Sequence, residues 1–246
     1  MQFRFVLTVA LAATVIAAAA CGGGDGDSDN DTNSQFSQTQ QAGAGRTPVP
    51  TKPCVGREQE PASIPPATTV DPSTLGGDAT KTYAAEPPMT IDPEKTYIAT
   101  IKMDIGDMRI RLFPKDAPTH VNNFVFLARD GFYDGVTFHR VLPGFMAQAG
   151  DPEGTGRGGP GYTIKDEVNG CTFEDGTLGM AKTQLPNSAG SQFFITLAPA
   201  PHLDGGYTVF GTLIDGRDVL SKIELRDPAR ATTPGTKINT ITIEEQ

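Results

Sequence analysis

From residue 96 onward the chain alternates apolar and polar positions in short runs. Thr96–Met103 sets Tyr97, Ala99, Ile101 and Met103 on one side, and Met108–Leu112 repeats the alternation. A period of two sends successive side chains to opposite faces of a strand. Asp104-Ile105-Gly106-Asp107 lies between the two runs and supplies a turn, so the pair predicts a β-hairpin. Further strands are predicted at Gly135–Val141, Phe145–Gly150, Thr177–Met180, Gln192–Leu197, Val209–Leu213 and Lys237–Ile243. Two stretches change to helical spacing. After Asp116, a capping residue type, comes Pro118, whose missing N–H costs nothing in a first turn. Val121, Phe124, Val125 and Ala128 then share one face, and Gly131 suits the stop. A shorter helix is predicted at Arg217–Glu224, with Val219, Leu220 and Ile223 apolar. Strands follow one another without regular helical crossovers, which argues against a parallel βαβ sheet. The expectation is a mainly β fold, an antiparallel barrel or sandwich with two helices.

The residues before this region read differently. Gly, Asp, Ser, Asn, Gln and Thr dominate residues 22–45, and proline recurs at 48, 50, 53, 61, 65, 66, 72, 87 and 88. Phe36 and Tyr83 are the aromatics there, too few to offset the entropy of ordering. Residues 21–88 are therefore predicted as a disordered linker and 89–246 as the folded domain. Asp25, Asp27, Asp29 and Asp31 alternate with small polar residues, but the twelfth position from Asp25 is Phe36, where a calcium loop needs Glu. They read as a solvated acidic stretch, and no metal or cofactor is predicted.

Residues 1–20 read as a signal peptide: Arg4 precedes an uncharged run, Phe5–Ala20, too short to span a bilayer. Ala18-Ala19-Ala20-Cys21 followed by glycines resembles the lipobox of bacterial lipoproteins, with Ala18 where Leu is usual. The resemblance implies lipidation of Cys21, a membrane anchor and an extracytoplasmic location. An exported chain can form disulfides, and the spacing leaves open whether Cys54 and Cys171 pair. The formal net charge of −9 argues against nucleic acid as a partner. The domain is expected to be a monomer.

Pattern alone stops at a small β-rich domain. Function enters with three blocks. Phe138-His139-Arg140-Val141-Leu142-Pro143-Gly144-Phe145-Met146-Ala147-Gln148-Ala149-Gly150-Asp151 is the first, Asn187-Ser188-Ala189-Gly190-Ser191-Gln192-Phe193-Phe194-Ile195 the second, and Leu203-Asp204-Gly205-Gly206-Tyr207-Thr208-Val209-Phe210-Gly211 the third. Together they resemble the signatures of the cyclophilin family across roughly residues 96–243. The resemblance implies a closed eight-stranded antiparallel barrel with two helices. It also implies peptidyl-prolyl cis-trans isomerase activity on proline-containing polypeptides. The alternative is a proline-directed binding module or holdase with little turnover.

By the same resemblance Arg140 is the catalytic arginine and Gln148 orients it. Phe145, Met146, Phe194 and Leu203 match the proline pocket, and Gln192 holds the substrate backbone. Ala181, Lys182 and Thr183 match the peptide groove, although Lys182 replaces a usual asparagine and the loop is one residue longer. His202 stands where many members have tryptophan, and Tyr207 where histidine is common. Both remain candidate binding residues. Gly154-Thr155-Gly156-Arg157-Gly158-Gly159 mimics a phosphate-binding loop but lacks the following Lys-Ser/Thr. Ser191 lacks a hydrolase setting. His139 is expected to face away from Arg140, and His120 to be exposed.

Overall fold

The computed structural model describes Cys54 and residues 81–246. The predicted signal peptide, Cys21 and residues 22–53 and 55–80 of the predicted linker lie outside the described residues. No helix among the described residues is long and apolar enough to cross a membrane.

Eight strands and two helices form the domain: β1 (Tyr97–Met103), β2 (Gly106–Leu112), α1 (Pro118–Arg129), β3 (Arg140–Leu142), β4 (Met146–Ala149), β5 (Thr177–Met180), β6 (Phe193–Thr196), β7 (Val209–Asp215), α2 (Arg217–Lys222) and β8 (Thr240–Glu245). The strands make one antiparallel sheet in the order β3-β4-β6-β5-β7-β2-β1-β8. The first hairpin pairs as the alternation predicts, with Ala99 opposite Ile110 and Ile101 opposite Met108.

The closed barrel expected from the family resemblance is corrected to an open half-barrel. The ladder does not join β3 to β8. Pro143, which has no N–H to donate, follows the three-residue β3. The predicted strand at 135–141 instead meets residues 236–238 irregularly. Their contact is the isolated bridge Thr137–Lys237, with Phe138 N–H donating to the Thr236 carbonyl at 2.8 Å.

The strands separate two apolar clusters. Val141, Ala147, Ala149, Leu178, Phe193, Ile195 and Phe210 face the large core, which also takes Val121, Phe124, Val125 and Leu127 of α1. Their neighbours Met146, Phe194 and Val209 belong to a second cluster with Phe113, Phe173 and Leu203. The change of face from Phe193 to Phe194 is the period-two rule acting within one dipeptide.

Two local expectations are corrected. Asp116 does not cap α1; Ala117 is the capping residue and makes no side-chain cap bond. The Glu167 carboxylate takes that role from outside, accepting the N–H groups of Thr119 and His120, each at 3.0 Å. An anion there is favoured by the helix dipole. His120 is buried, not exposed, and its Nδ1 lies 2.8 Å from Glu167. Burial pushes the Glu167 carboxyl up, but the His120 ring and the helix N–H groups outweigh it and hold the group below its ordinary value.

The boundary read from composition also needs revision. Residues 81–83, assigned above to the linker, sit on the domain. Tyr83 packs edge-on against Phe126 at 5.3 Å, and its hydroxyl donates to Asp130 at 2.7 Å. Cys54, from the middle of the predicted linker, is disulfide-bonded to Cys171. Both are buried, with 0% and 2% exposure.

Candidate functional site

Register places the first candidates side by side. Arg140 on β3 pairs with Gln148 on β4, Gln148 with Phe194 on β6, and Phe194 with Gly179 on β5. In an antiparallel ladder, directly opposed residues share a face, so a guanidinium, an amide and a phenyl ring form one lateral row. The row continues through a glycine at 179 for a steric reason. A Cβ there would lie 2.5 Å from the Phe194 ring and 2.6 Å from that of Phe173.

A directional chain of polar groups runs from the arginine. Arg140 donates to Gln148 Oε1 at 3.4 Å, Gln148 Nε2 to Gln192 Oε1 at 2.9 Å, and Gln192 Nε2 to the Gly158 carbonyl at 2.9 Å. Each amide thus fixes the orientation of the next. Gly158 belongs to the glycine-rich segment that mimicked a phosphate loop. Here that segment folds around its own anion: Asp151 accepts the N–H of Glu153 at 2.8 Å and that of Gly156. Burial alone would raise the Asp151 carboxyl, but the N–H groups of Glu153, Gly156 and Gly158 hold it below the usual range. Arg140 is half-buried, and burial lowers its pKa while Asp227 and Tyr207 oppose the change. The antiparallel bridge Val141–Arg226 puts Asp227 across from Arg140, on the side away from Gln148.

Beside this chain lies an apolar cup. Met146, Phe194 and Leu203 form it with 2%, 5% and 7% exposure, and Phe145 and Tyr207 pack against them partly buried. Tyr207 meets Phe194 edge-on at 6.0 Å. Leu203 is presented by the 3₁₀ turn Pro201–Leu203, which also carries the exposed His202, whose ring is 5.3 Å from that of Phe145. Aromatic and thioether walls suit a compact apolar ring.

The groove candidates diverge. Ala181 N–H donates to the Gln192 carbonyl at 2.9 Å and so borders the site. Lys182 forms an ion pair with Asp166 at 2.8 Å, and its ammonium lies 5.9 Å from the Tyr207 ring centre. Thr183 is exposed, and its hydroxyl bonds Ser188 at 2.8 Å within its own loop.

Nine of the predicted residues therefore converge directly: Arg140, Phe145, Met146, Gln148, Gln192, Phe194, His202, Leu203 and Tyr207. Cys21 lies outside the described residues. Sequence reasoning missed Phe173, Gly179, Asp151 and Asp227. The glycine within an apolar strand was a usable signal for close packing; the others depend on contacts remote in sequence. Ser191 is buried and donates to the Gly150 carbonyl at 2.6 Å, a structural bond. His139 is buried, and a Cβ at Gly156 would lie 3.8 Å from its ring. Among the described residues, the three groups close enough to share a metal are Cys54, Asp116 and Cys171, and the two sulfurs are bonded to each other. What the site offers chemically is an apolar cup beside a fixed cationic donor.

The family model for the cyclophilin type peptidyl-prolyl cis-trans isomerase matches residues 98–244. A peptidyl-prolyl cis-trans isomerase of Synechococcus elongatus is 50% identical over 132 residues, covering 54% of this chain and 90% of that protein. Peptidyl-prolyl cis-trans isomerase B of Bacillus subtilis is 53% identical over 115 residues, covering 46% and 80%. A crystal structure of a cyclophilin type peptidyl-prolyl cis-trans isomerase from Cryptosporidium parvum superimposes with a TM-score of 0.55 at 33% identity, covering 61% of this chain and 98% of that one.

Proposed function

The chain belongs to the cyclophilin-type peptidyl-prolyl cis-trans isomerases, and on that premise we propose that Arg140 is its catalytic group, working on exported proteins at a membrane surface. The peptide bond before proline rotates over a barrier of about 18–20 kcal/mol because amide resonance must be lost. No covalent bond forms or breaks. The twisted amide differs from the planar one chiefly in its nitrogen, which regains a lone pair. A donor aimed at that nitrogen stabilises the twisted state more than the planar one, which is the condition for catalysis.

The observation that carries this reading is the row Arg140–Gln148–Phe194, a guanidinium held two strands away from the cup's aromatic wall. In this reading the cup formed by Phe145, Met146, Phe194 and Leu203 receives the proline ring. Gln148 occupies one guanidinium N–H and sets its plane, and Gln192 holds both Gln148 and the substrate backbone. Ala181, Lys182, Thr183, His202 and Tyr207 border the peptide on either side. A related Cryptosporidium parvum enzyme, 35% identical, has been crystallised in the presence of the dipeptide Ala-Pro, a ligand of the size such a cup would take.

The cellular setting rests on the sequence of Phe5–Cys21, read as a signal followed by a lipidated cysteine. The Cys54–Cys171 bond supports an oxidising, extracytoplasmic compartment.

The test is Arg140→Ala. Circular dichroism should report an intact fold, since the side chain is half-buried at the sheet surface. Losing one preorganised donor typically costs about 10²–10³ in rate, and kcat/KM in a proline-isomerisation assay should drop by that factor. Arg140→Lys should recover little, because a point charge does not reproduce the planar fork. Turnover of folded Arg140→Ala within about threefold of wild type, about 0.65 kcal/mol in barrier, would remove Arg140 from the mechanism.

A further inference from the structure

The cup has a rear layer that begins outside the region matched by the family. That region starts at residue 98, yet Cys54 lies in the same apolar cluster as Met146, Phe194 and Leu203. It arrives there through its bond to Cys171, with a Cα–Cα separation of 5.2 Å. Cys171 is two residues from Phe173, and Phe173 touches the cup three ways. Its ring stacks on Phe194 with centroids 5.5 Å apart and planes at 21°. Its N–H donates to Asp204 Oδ1 at 2.9 Å, and its carbonyl accepts the Ala200 N–H at 2.8 Å. Ala200 and Asp204 bracket the turn that carries His202 and Leu203. The segment 171–173 therefore supports both walls, and the disulfide pins its first residue.

We propose that Cys54 is a positioning residue for the proline cup, acting through Cys171 and Phe173 on Phe194 and Leu203. The inference rests on reading that cup as the substrate site. Without the bond, the buried sulfur of Cys54 leaves the cluster and Phe173 is free to shift toward the vacated space. The stacking partner of Phe194 and the anchors of the 201–203 turn move with it. The chain from Arg140 through Gln148 and Gln192 to Gly158 does not pass through Cys171. Binding of the proline ring should therefore suffer while the rotation step is spared.

The experiment compares oxidised full-length protein with Cys54→Ala in a protease-free isomerisation assay and in calorimetry with an Ala-Pro peptide. Loss of an aromatic contact is worth a factor of about 2–12 in affinity, and KM should rise and peptide affinity fall by that factor, with kcat within about twofold of wild type. Wild type treated with dithiothreitol should show the same change. The dithiol gives two electrons and two protons to the bond, leaving two thiols, and itself closes to a cyclic disulfide; mass spectrometry confirms the reduction. Cys54→Ala should not respond to the reductant. If Cys54→Ala does not fold, reduced wild type gives the same reading. Unchanged KM and affinity in the reduced protein or in Cys54→Ala, with only a lower melting temperature, would reduce the bond to a structural staple and overturn the proposal. Arg140→Ala is run alongside. Full turnover in that variant would point instead to failure of the site reading itself.

Discussion

Gly158→Ala tests how the glycine-rich segment supports the site. Gly158 is not in the left-handed region, so the reason for glycine there is space. An added Cβ would lie 2.1 Å from Asp151 Oδ1 and 3.1 Å from its Cγ. Asp151 has no exposed surface, and the same oxygen accepts the Glu153 N–H at 2.8 Å. To admit the methyl group the carboxylate must rotate or the backbone must retreat. Rotation sacrifices at least that charge-assisted bond, and such bonds contribute about 1.5–3 kcal/mol each. The domain should lose roughly that much stability, or about 3–12 °C in melting temperature at about 2–4 °C per kcal/mol. Retreat moves the Gly158 carbonyl, the acceptor for Gln192, and loosens the chain that ends on Arg140. In that case kcat/KM should fall several-fold, by roughly the loss of one hydrogen bond of about 1 kcal/mol. The neighbouring glycine provides the control: a Cβ at Gly159 meets nothing within 4 Å, so Gly159→Ala should match wild type. Thermal melts and the isomerisation assay on both variants decide the matter. Equal stability and activity for the two variants would refute the claim that Asp151 organises this segment.

Acid should destabilise the domain through its depressed carboxylates. Glu245 is held at about 2 against an ordinary 4.5 by hydrogen bonds from Lys95 and Arg129, so its contribution is complete above about 4.5 and disappears as pH falls toward 2. Glu167, also depressed, acts in the same direction; urea midpoints should drop between pH 6 and pH 3, and Glu245→Gln should shrink that drop. For the anchor, Cys21→Ser should move the protein from the membrane fraction to the soluble one, and a wild-type protein already soluble and unlipidated in its own cells would contradict the lipid.

Much of the fold was legible because it is written in local alternation. Tyr97, Ala99, Ile101 and Met103 are all buried on β1, and the hairpin register follows. The site was legible only by resemblance: nothing in the period of Phe193-Phe194 tells which ring enters the large core and which lines the cup. Features that depend on distant partners stayed hidden. Asp116 looked like a cap because local sequence favours a nearby side chain, yet the anion at α1 comes from Glu167, 48 residues after Thr119. His120 looked exposed because its partner is that same glutamate, remote in sequence. The openness of the sheet depends on how 136–138 meet 236–238, a pairing no short window contains. Composition finds few large apolar residues between 22 and 88, but it averages over a window and gives no weight to one cysteine.

That single cysteine also sets a length. If the lipid proposed at Cys21 holds the chain, the disulfide lies 33 residues from the anchor, whereas Lys81, bonded to Asp130, lies 60 residues from it. At a maximum of about 3.6 Å per residue these leashes reach about 120 Å and about 220 Å. The disulfide thus acts as a stop on the leash. On that proposal, closing the disulfide would about halve the greatest distance at which the domain could stand from the membrane, and the shorter tether would join the domain behind the apolar cup.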